Sequence, residues 1–442
     1  MKLNFHLIKG SLVGALGGLL FGFDTAVIAG TTHGLSLAYS LTATTLGLTV
    51  SIALWGTVVG AIASGEPGQL YGGRDTLRFL AVCYCISAIG CAFAWSWGAL
   101  VVFRFIGGLG IGGSSVLGPV YIAEIAPAKW RGRLVGTFQI NIVIGILLAY
   151  LSNYSIARWI GGASDWRWML GVAAIPAFLF LVLLFTIPQS PRWLATKGRG
   201  EEAHAVLTLI GAADPDGELK EIMDSIHLER STKEEPIFSR KYAFPLFLAI
   251  TIGAFNQLSG INAILYYLSD IFADAGFSQI SGDLQSVAVG AMNLIATLLA
   301  MTVIDKIGRK ALLLIGSVGM AGSLAGVAAV FFTHTHQKDL VWYLLAFIGS
   351  FAISQGAVIW VYIGEVFPNR VRAKGQSVGS SSHWIMNAII SFAFPILAKS
   401  SGAYPFAFFS AMMVVQFFIV LFFFPETKGV SLEELQKHLG ID

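Results

Sequence analysis

The chain has 442 residues, 55% of them hydrophobic and only 12% charged, with a mean hydropathy of +0.73. A soluble domain carries about 25% charged residues, so the composition excludes a soluble enzyme or binding module and identifies a polytopic membrane protein. The net charge of +3 is too small to argue for a nucleic-acid partner.

About 20 apolar residues are needed for each helical crossing of a bilayer. On that basis the sequence predicts twelve spans, at 10–30, 45–65, 77–96, 99–123, 134–154, 167–187, 243–272, 283–304, 311–333, 341–366, 375–397 and 403–424. The first run contains Asp24 and lacks a small-residue cleavage site, so it does not read as a cleaved signal peptide. Three cysteines, Cys83, Cys85 and Cys91, share the third span, and an odd number there argues against a disulfide framework. Between the sixth and seventh spans the polar stretch 190–242 spaces its Leu, Ile and Met residues as short amphipathic helices do. The predicted division is a six-span bundle over 1–189, a helical linker domain over 190–242, a second six-span bundle over 243–425 and a tail over 426–442.

With the N-terminus inside, 23 of the 28 lysines and arginines fall in cytoplasmic segments. That asymmetry predicts both termini in the cytoplasm of a multi-pass protein of the inner membrane.

The sequence also repeats itself. YIAEIAPAKWRGR at 121–133 and YIGEVFPNRVRAK at 362–374 lie 241 residues apart. GGRDTL at 72–77 echoes IGRKAL at 307–312, and PQSPRWL at 188–194 echoes PETKGV from Pro425. Matches at nearly one offset predict two six-helix halves in parallel repeat, packed around a central cavity and rocking about a site near the bilayer midplane. The repeated charges on the cytoplasmic side, Arg74, Glu124, Arg131 and Arg133 in one half and Asp305, Arg309, Glu365, Arg370 and Arg372 in the other, are expected to pair across helix ends and lock one face.

Other motifs are weighed by context. Gly108 to Gly113 fits G-x-G-x-x-G, but no strand precedes it, so it reads as close helix packing and not as a dinucleotide site. His334 and His336 stand alone in a loop and do not make a metal site; no cofactor is implied. Asn256, Gln257 and Asn262 crowd the seventh span, and carboxamides both donate and accept, as sugar hydroxyls do. Unpaired in lipid they would be costly, so a polar cavity suits them better than a role as interhelical glue, and Gly260 permits a local unwinding beside them. No nucleophile with a base is evident, and the chain does not read as an enzyme.

The segments GFDTAVIAG, RFIGGLGIGGSS, PVYIAEIAPAKWRGRLVG, PQSPRWL, NQLSGINAILYY, DKIGRK, GEVFPNRVRAKG and PETKG, in this order, resemble the signatures of the sugar porter family of the major facilitator superfamily. The resemblance covers nearly the whole chain. It implies an all-α membrane fold of twelve helices in two pseudo-symmetric bundles with a short intracellular helical domain. By the same resemblance, sugar contacts come from Gln139, Asn293, Trp384 and Asn387 as well, with Trp360 a further contact whose ring face would pack on a pyranose. His383, beside Trp384, has no assigned role.

Three departures from the family pattern stand out. Gln69, Leu70 and Gly73 replace charged residues in the loop after the second span, which weakens the expected N-half lock. The tenth span reads Gln355-Gly-Ala357 where Trp-Gly-Pro is usual, removing an aromatic and a helix-breaking proline. Asn256 stands where a second glutamine is common.

Asp24 and Arg104 fall at one depth, roughly 7–9 Å below the outer boundary at about 1.5 Å per residue. Either charge alone in lipid is expensive, so they are expected to pair. Removal from water and an adjacent cation act oppositely on a carboxyl, and a changing separation would couple its proton to transport. Proton-driven members of the family carry Asp at this place, which implies a proton symporter of a monosaccharide such as glucose or xylose, acting as a monomer. The alternatives are a uniporter with a fixed ion pair and a transporter-like sugar sensor.

Overall fold

The computed structural model describes residues 4–231, 235–368, 370–430, 439 and 441; the side chains of 128, 228–231 and 305 lie outside the description, so the expected gate residue Asp305 is not placed. Among the described residues twelve helices are long and apolar enough to cross a membrane, from Phe5–Gly30 to Ala403–Phe423, and no strand is present. Each falls within six residues of its predicted span. Large apolar side chains such as Phe178, Phe185, Phe418 and Phe422 are more than half exposed, which suits contact with lipid and would be an aggregation hazard in water. The linker forms three helices, Pro191–Thr196, Gly200–Leu209 and Pro215–Ser231.

The chain forms two compact units. One comprises Met1–Val27, Ile52–Ser152 and Trp166–Lys233; the other comprises Ile28–Ser51, Asn153–Asp165 and Glu234–Asp442.

In the first unit, glycines set the helix crossings. A Cβ on Gly22 would stand 1.8 Å from the Ile142 carbonyl oxygen, and one on Gly145 2.1 Å from that of Leu19, so the first and fifth spans touch backbone to backbone. The G-x-G-x-x-G run of the fourth span is used on two sides. Gly108 and Gly112 leave no room for a Cβ against the carbonyls of Ala53 and Thr57 on the second span, while Gly110 and Gly113 face Tyr84 and Leu80 on the third. Its role is therefore packing.

In the second unit, two spans are broken. The seventh runs as Ala243–Leu258, turns at Gly260 in the left-handed region (φ +83°) and resumes as Ile261–Tyr266. A residue other than glycine is strained there, which accounts for the unwinding at this point. The tenth breaks at Ser354 into Leu340–Ile353 and Gln355–Glu365, although the usual proline is absent. Gln355 is fully buried, and its Nε2 donates to the Gln416 Oε1 and, at 3.5 Å, to the Phe255 carbonyl. A buried amide is costly without partners, so this tie to the seventh and twelfth spans fixes where the second half of the tenth begins.

Candidate functional site

The repeat seen in the sequence is reproduced in the local geometry of each unit. Gly72 and Gly308, each preceding a helix, adopt nearly the same rare conformation (φ +88°, ψ 158° and φ +107°, ψ 159°). Tyr121 donates its hydroxyl to the Pro188 carbonyl at 2.8 Å, and Tyr362 to that of Pro425 at 3.2 Å. Glu124 receives a hydrogen bond from Ser190, and Glu365 from Thr427 at 2.6 Å.

The residue after each of those prolines caps the adjoining helix. Gln189 Oε1 accepts from the Arg74 amide at 3.2 Å, and Glu426 accepts from the amides of Arg309 and Lys310 at 2.9 and 3.1 Å. Partial burial pushes the Glu426 carboxyl up, but four backbone N–H groups outweigh it and hold the carboxyl below its ordinary value. Helix N-termini favour an anion in this way. Gln189 and Glu426 were missed as functional residues, although the echo of PQSPRWL in PETKGV carries them.

The halves differ in charge. Arg309 pairs with Glu365 at 2.9 Å. Counted from the matching glycines Gly72 and Gly308, Gly73 and not Arg74 stands where Arg309 does, one residue out of the register in which GGRDTL echoes IGRKAL, and Glu124 lies instead near Arg192. Arg74 turns to Asp75 at 3.0 Å. Arg131 donates to the Ala123 carbonyl, Arg133 stacks on Trp130, Arg370 meets Glu235 at 3.1 Å and Arg372 donates to the Phe367 carbonyl. Within each unit the expected gate residues lie at neighbouring helix ends, but of the described pairs only Arg309–Glu365 joins two of them.

The polar residues of the seventh span meet those of the eleventh within the second unit. Gln257 Nε2 donates to Asn256 Oδ1 at 3.1 Å and lies 3.3 Å from the His383 ring nitrogens, and Asn262 donates to Gln257 Oε1 at 3.2 Å. The His383 ring sits 5.2 Å from Trp360 and 5.0 Å from Trp384, centroid to centroid. Asn387 donates to the Tyr266 hydroxyl at 3.3 Å. Asn256, Gln257, His383, Trp384 and Asn387 are buried, while Trp360 is 40% exposed. Asn293 is buried in the eighth span, and Gln139 is half-buried in the fifth span of the first unit. Both stand outside this hydrogen-bonded chain among the described residues. The arrangement offers amide donors and acceptors next to indole faces, the chemistry that recognises a polyhydroxylated ring.

Asp24 and Arg104 come together within the first unit. They line one cavity of about 20 Å³ with Tyr84, Ser87 and Cys91, room for a single water. Arg104 is buried and acts electrostatically on Asp24, and the Tyr84 hydroxyl shares a hydrogen bond with Ser114 at 2.9 Å.

Twelve membrane helices in a duplicated arrangement, with broken helices beside a polar cluster and an acid and an arginine lining one cavity, define a secondary transporter of the major facilitator fold. The family described as "Sugar (and other) transporter" matches residues 10–439. The glucose transport protein of a Synechocystis strain is 37% identical over 97% of this chain and 96% of its own. The D-xylose-proton symporter of Escherichia coli is 36% identical over 98% and 95%. The inward-open structure of the xylose transporter XylE from E. coli superposes with a TM-score of 0.88 at 34% identity, covering 98% of this chain and 99% of that one. The chain belongs to the sugar transporter family; it is a transporter and not an enzyme.

Proposed function

We propose that this protein carries a monosaccharide, glucose-like or xylose-like, across the cell membrane together with a proton, by alternating access. The observation that carries the reading is the small cavity that Asp24 and Arg104 line together. A carboxyl with space beside it for one water, and none for a sugar, can exchange a proton but not cargo. Asp24 is the proton site and Arg104 its modulator: when their separation changes, so does the hold of Asp24 on its proton. The sugar is bound by Gln139, Asn256, Gln257, Asn262, Asn293, Trp360, Trp384 and Asn387. The duplicated motif face is cytoplasmic and forms the gate through Arg74, Glu124, Arg131, Arg133, Asp305, Arg309, Glu365, Arg370 and Arg372, with both termini on that side. The two bundles 1–189 and 243–425, the linker 190–242 and the tail 426–442 act as one monomeric carrier. Full-length relatives named for glucose transport and for D-xylose-proton symport support the substrate class.

The test compares Asp24→Asn with wild type in proteoliposomes. Accumulation driven by a pH gradient is expected to fall to the level of empty liposomes while counterflow exchange persists. Equal accumulation by both proteins would make the pair a fixed structural element of a facilitative carrier.

A further inference from the structure

A second group of acids, Asp283 buried and Asp270 half-buried, lies in the second unit at the Tyr266 end of the seventh span. Asp270 belongs to the short helix Leu268–Asp274, beyond the end of that span at Tyr266. Its Oδ1 accepts from the Thr32 hydroxyl at 2.8 Å. Thr32 is itself buried and opens the helix Thr32–Tyr39, which follows the single turn ending the first span. The neighbouring Ser269 donates to Asp283 Oδ1 at 2.9 Å, and Asp283, near the start of the eighth helix, is only 1% exposed. The second oxygens of both acids, Asp270 Oδ2 and Asp283 Oδ2, are buried with no hydrogen-bond partner.

Among the described residues no basic group acts on either acid. The segments packed on Leu268–Asp274 are Ile28–Gly30, Ile261–Tyr266 and the helix Gln279–Ile307, and the only basic residue among these is Lys306 at the far end of the last. The charged groups acting on Asp270 are Asp274, exposed on its own helix, and Asp283; the one acting on Asp283 is Asp165. All are acids. His33, beside Thr32, points to solvent, as does Arg158 on the segment that carries Asp165.

Two neighbouring carboxyls with no basic group acting on them do not both ionise at low cost. An unpartnered buried oxygen on each is where an O–H fits.

We propose that Asp270 and Asp283 form a second proton-binding site, distinct from the Asp24 site, that when protonated latches the end of the first span onto the helix Leu268–Asp274 through Thr32. The binding step is the transfer of one proton from outside water to a carboxylate oxygen, with no other bond made or broken. Burial pushes the Asp270 carboxyl up to about 7; the Thr32 hydroxyl opposes the rise, and Asp274 and Asp283 add to it. The sign follows from linkage. The latched state holds the proton more tightly than the hydrated open state, so latching is favoured as pH falls and is lost as pH rises through about 7.

The outer placement rests on the orientation given under Proposed function, and the experiment separates the two readings. Sugar counterflow is measured in proteoliposomes with internal pH clamped and external pH varied from about 6 to about 8, over which the protonated fraction changes about tenfold. The latch predicts exchange that slows toward acid external pH in wild type and, whatever its amplitude, in Asp24→Asn. Adding Asp270→Asn or Asp283→Asn to Asp24→Asn flattens the profile, and Thr32→Val raises the acid rate to the alkaline one while Thr32→Ser retains the step. A flat profile in Asp24→Asn alone, an unchanged step in Asp24→Asn/Asp270→Asn, or a step that follows internal pH overturns the proposal. Accumulation of sugar by Asp24→Asn would overturn the first reading and leave this profile to decide the second site.

Discussion

Gln257 is tied in three directions, to Asn256, to Asn262 and to the ring of His383. Such contacts hold the amide in one orientation, which lowers the ordering cost of the sugar binding proposed for it. Replacing it with alanine removes one amide and strands two polar neighbours. Each buried polar group left unmatched costs about 1–3 kcal/mol, so Gln257→Ala is expected to raise the apparent KM for sugar by about 5- to 150-fold. Uptake kinetics on protein with an unaltered melting profile check this, and an unchanged KM would show that Gln257 is only structural. Asn256, Gln257 and Asn262 were legible because carboxamides in a membrane span demand a polar environment. His383 was not, since a lone histidine carries no spacing signature. Its place four residues before Asn387, on one face of the eleventh helix, was the signal that could have found it.

Backbone contact between helices fixes the geometry around Asp24. Gly22 lies two residues before it, pressed on the Ile142 carbonyl, and Gly145 returns the contact against Leu19. An added methyl has nowhere to go at a backbone–backbone crossing, and overpacking costs about 1–3 kcal/mol. Gly22→Ala is therefore expected to lower the melting temperature of the purified protein, whereas Gly65→Ala, with open space around its Cβ position, leaves it unchanged. Equal melting of the two variants would mean that the first and fifth helices separate at no cost. Helix number and ends were legible from hydropathy, because a crossing needs a long apolar run wherever it occurs. The break in the tenth span was not predictable from its own residues. With proline absent, its position is fixed by the Gln355 amide reaching Gln416, a contact 61 residues away in sequence.

At the scale of the whole molecule, duplication was legible in the repeated motifs, and its chemical asymmetry was legible at Gly73. The division of labour at Gln189 and Glu426 needed the structure, because a capping role depends on which amides a side chain meets. The orientation proposed for the chain makes a direct prediction. The three native cysteines share one apolar helix, two of them buried, so the parent protein is expected to resist a bulky impermeant thiol reagent. In intact cells Lys338→Cys should react with that reagent and Glu201→Cys only after permeabilisation; both positions are exposed. The reverse pattern would invert the topology. The size of the space beside Asp24 also bears on which ion can drive such a carrier. A sodium ion gives up its hydration shell only where several oxygens replace it, and the cavity of about 20 Å³ that Asp24 lines is shared with the cationic Arg104 and is otherwise largely apolar. A proton needs no coordination shell, since it arrives as part of a covalent O–H. If Asp24 couples transport as proposed, exchanging sodium for potassium or lithium in the medium is expected to leave the rate of sugar accumulation unchanged, and a rate that follows sodium would overturn the proton assignment.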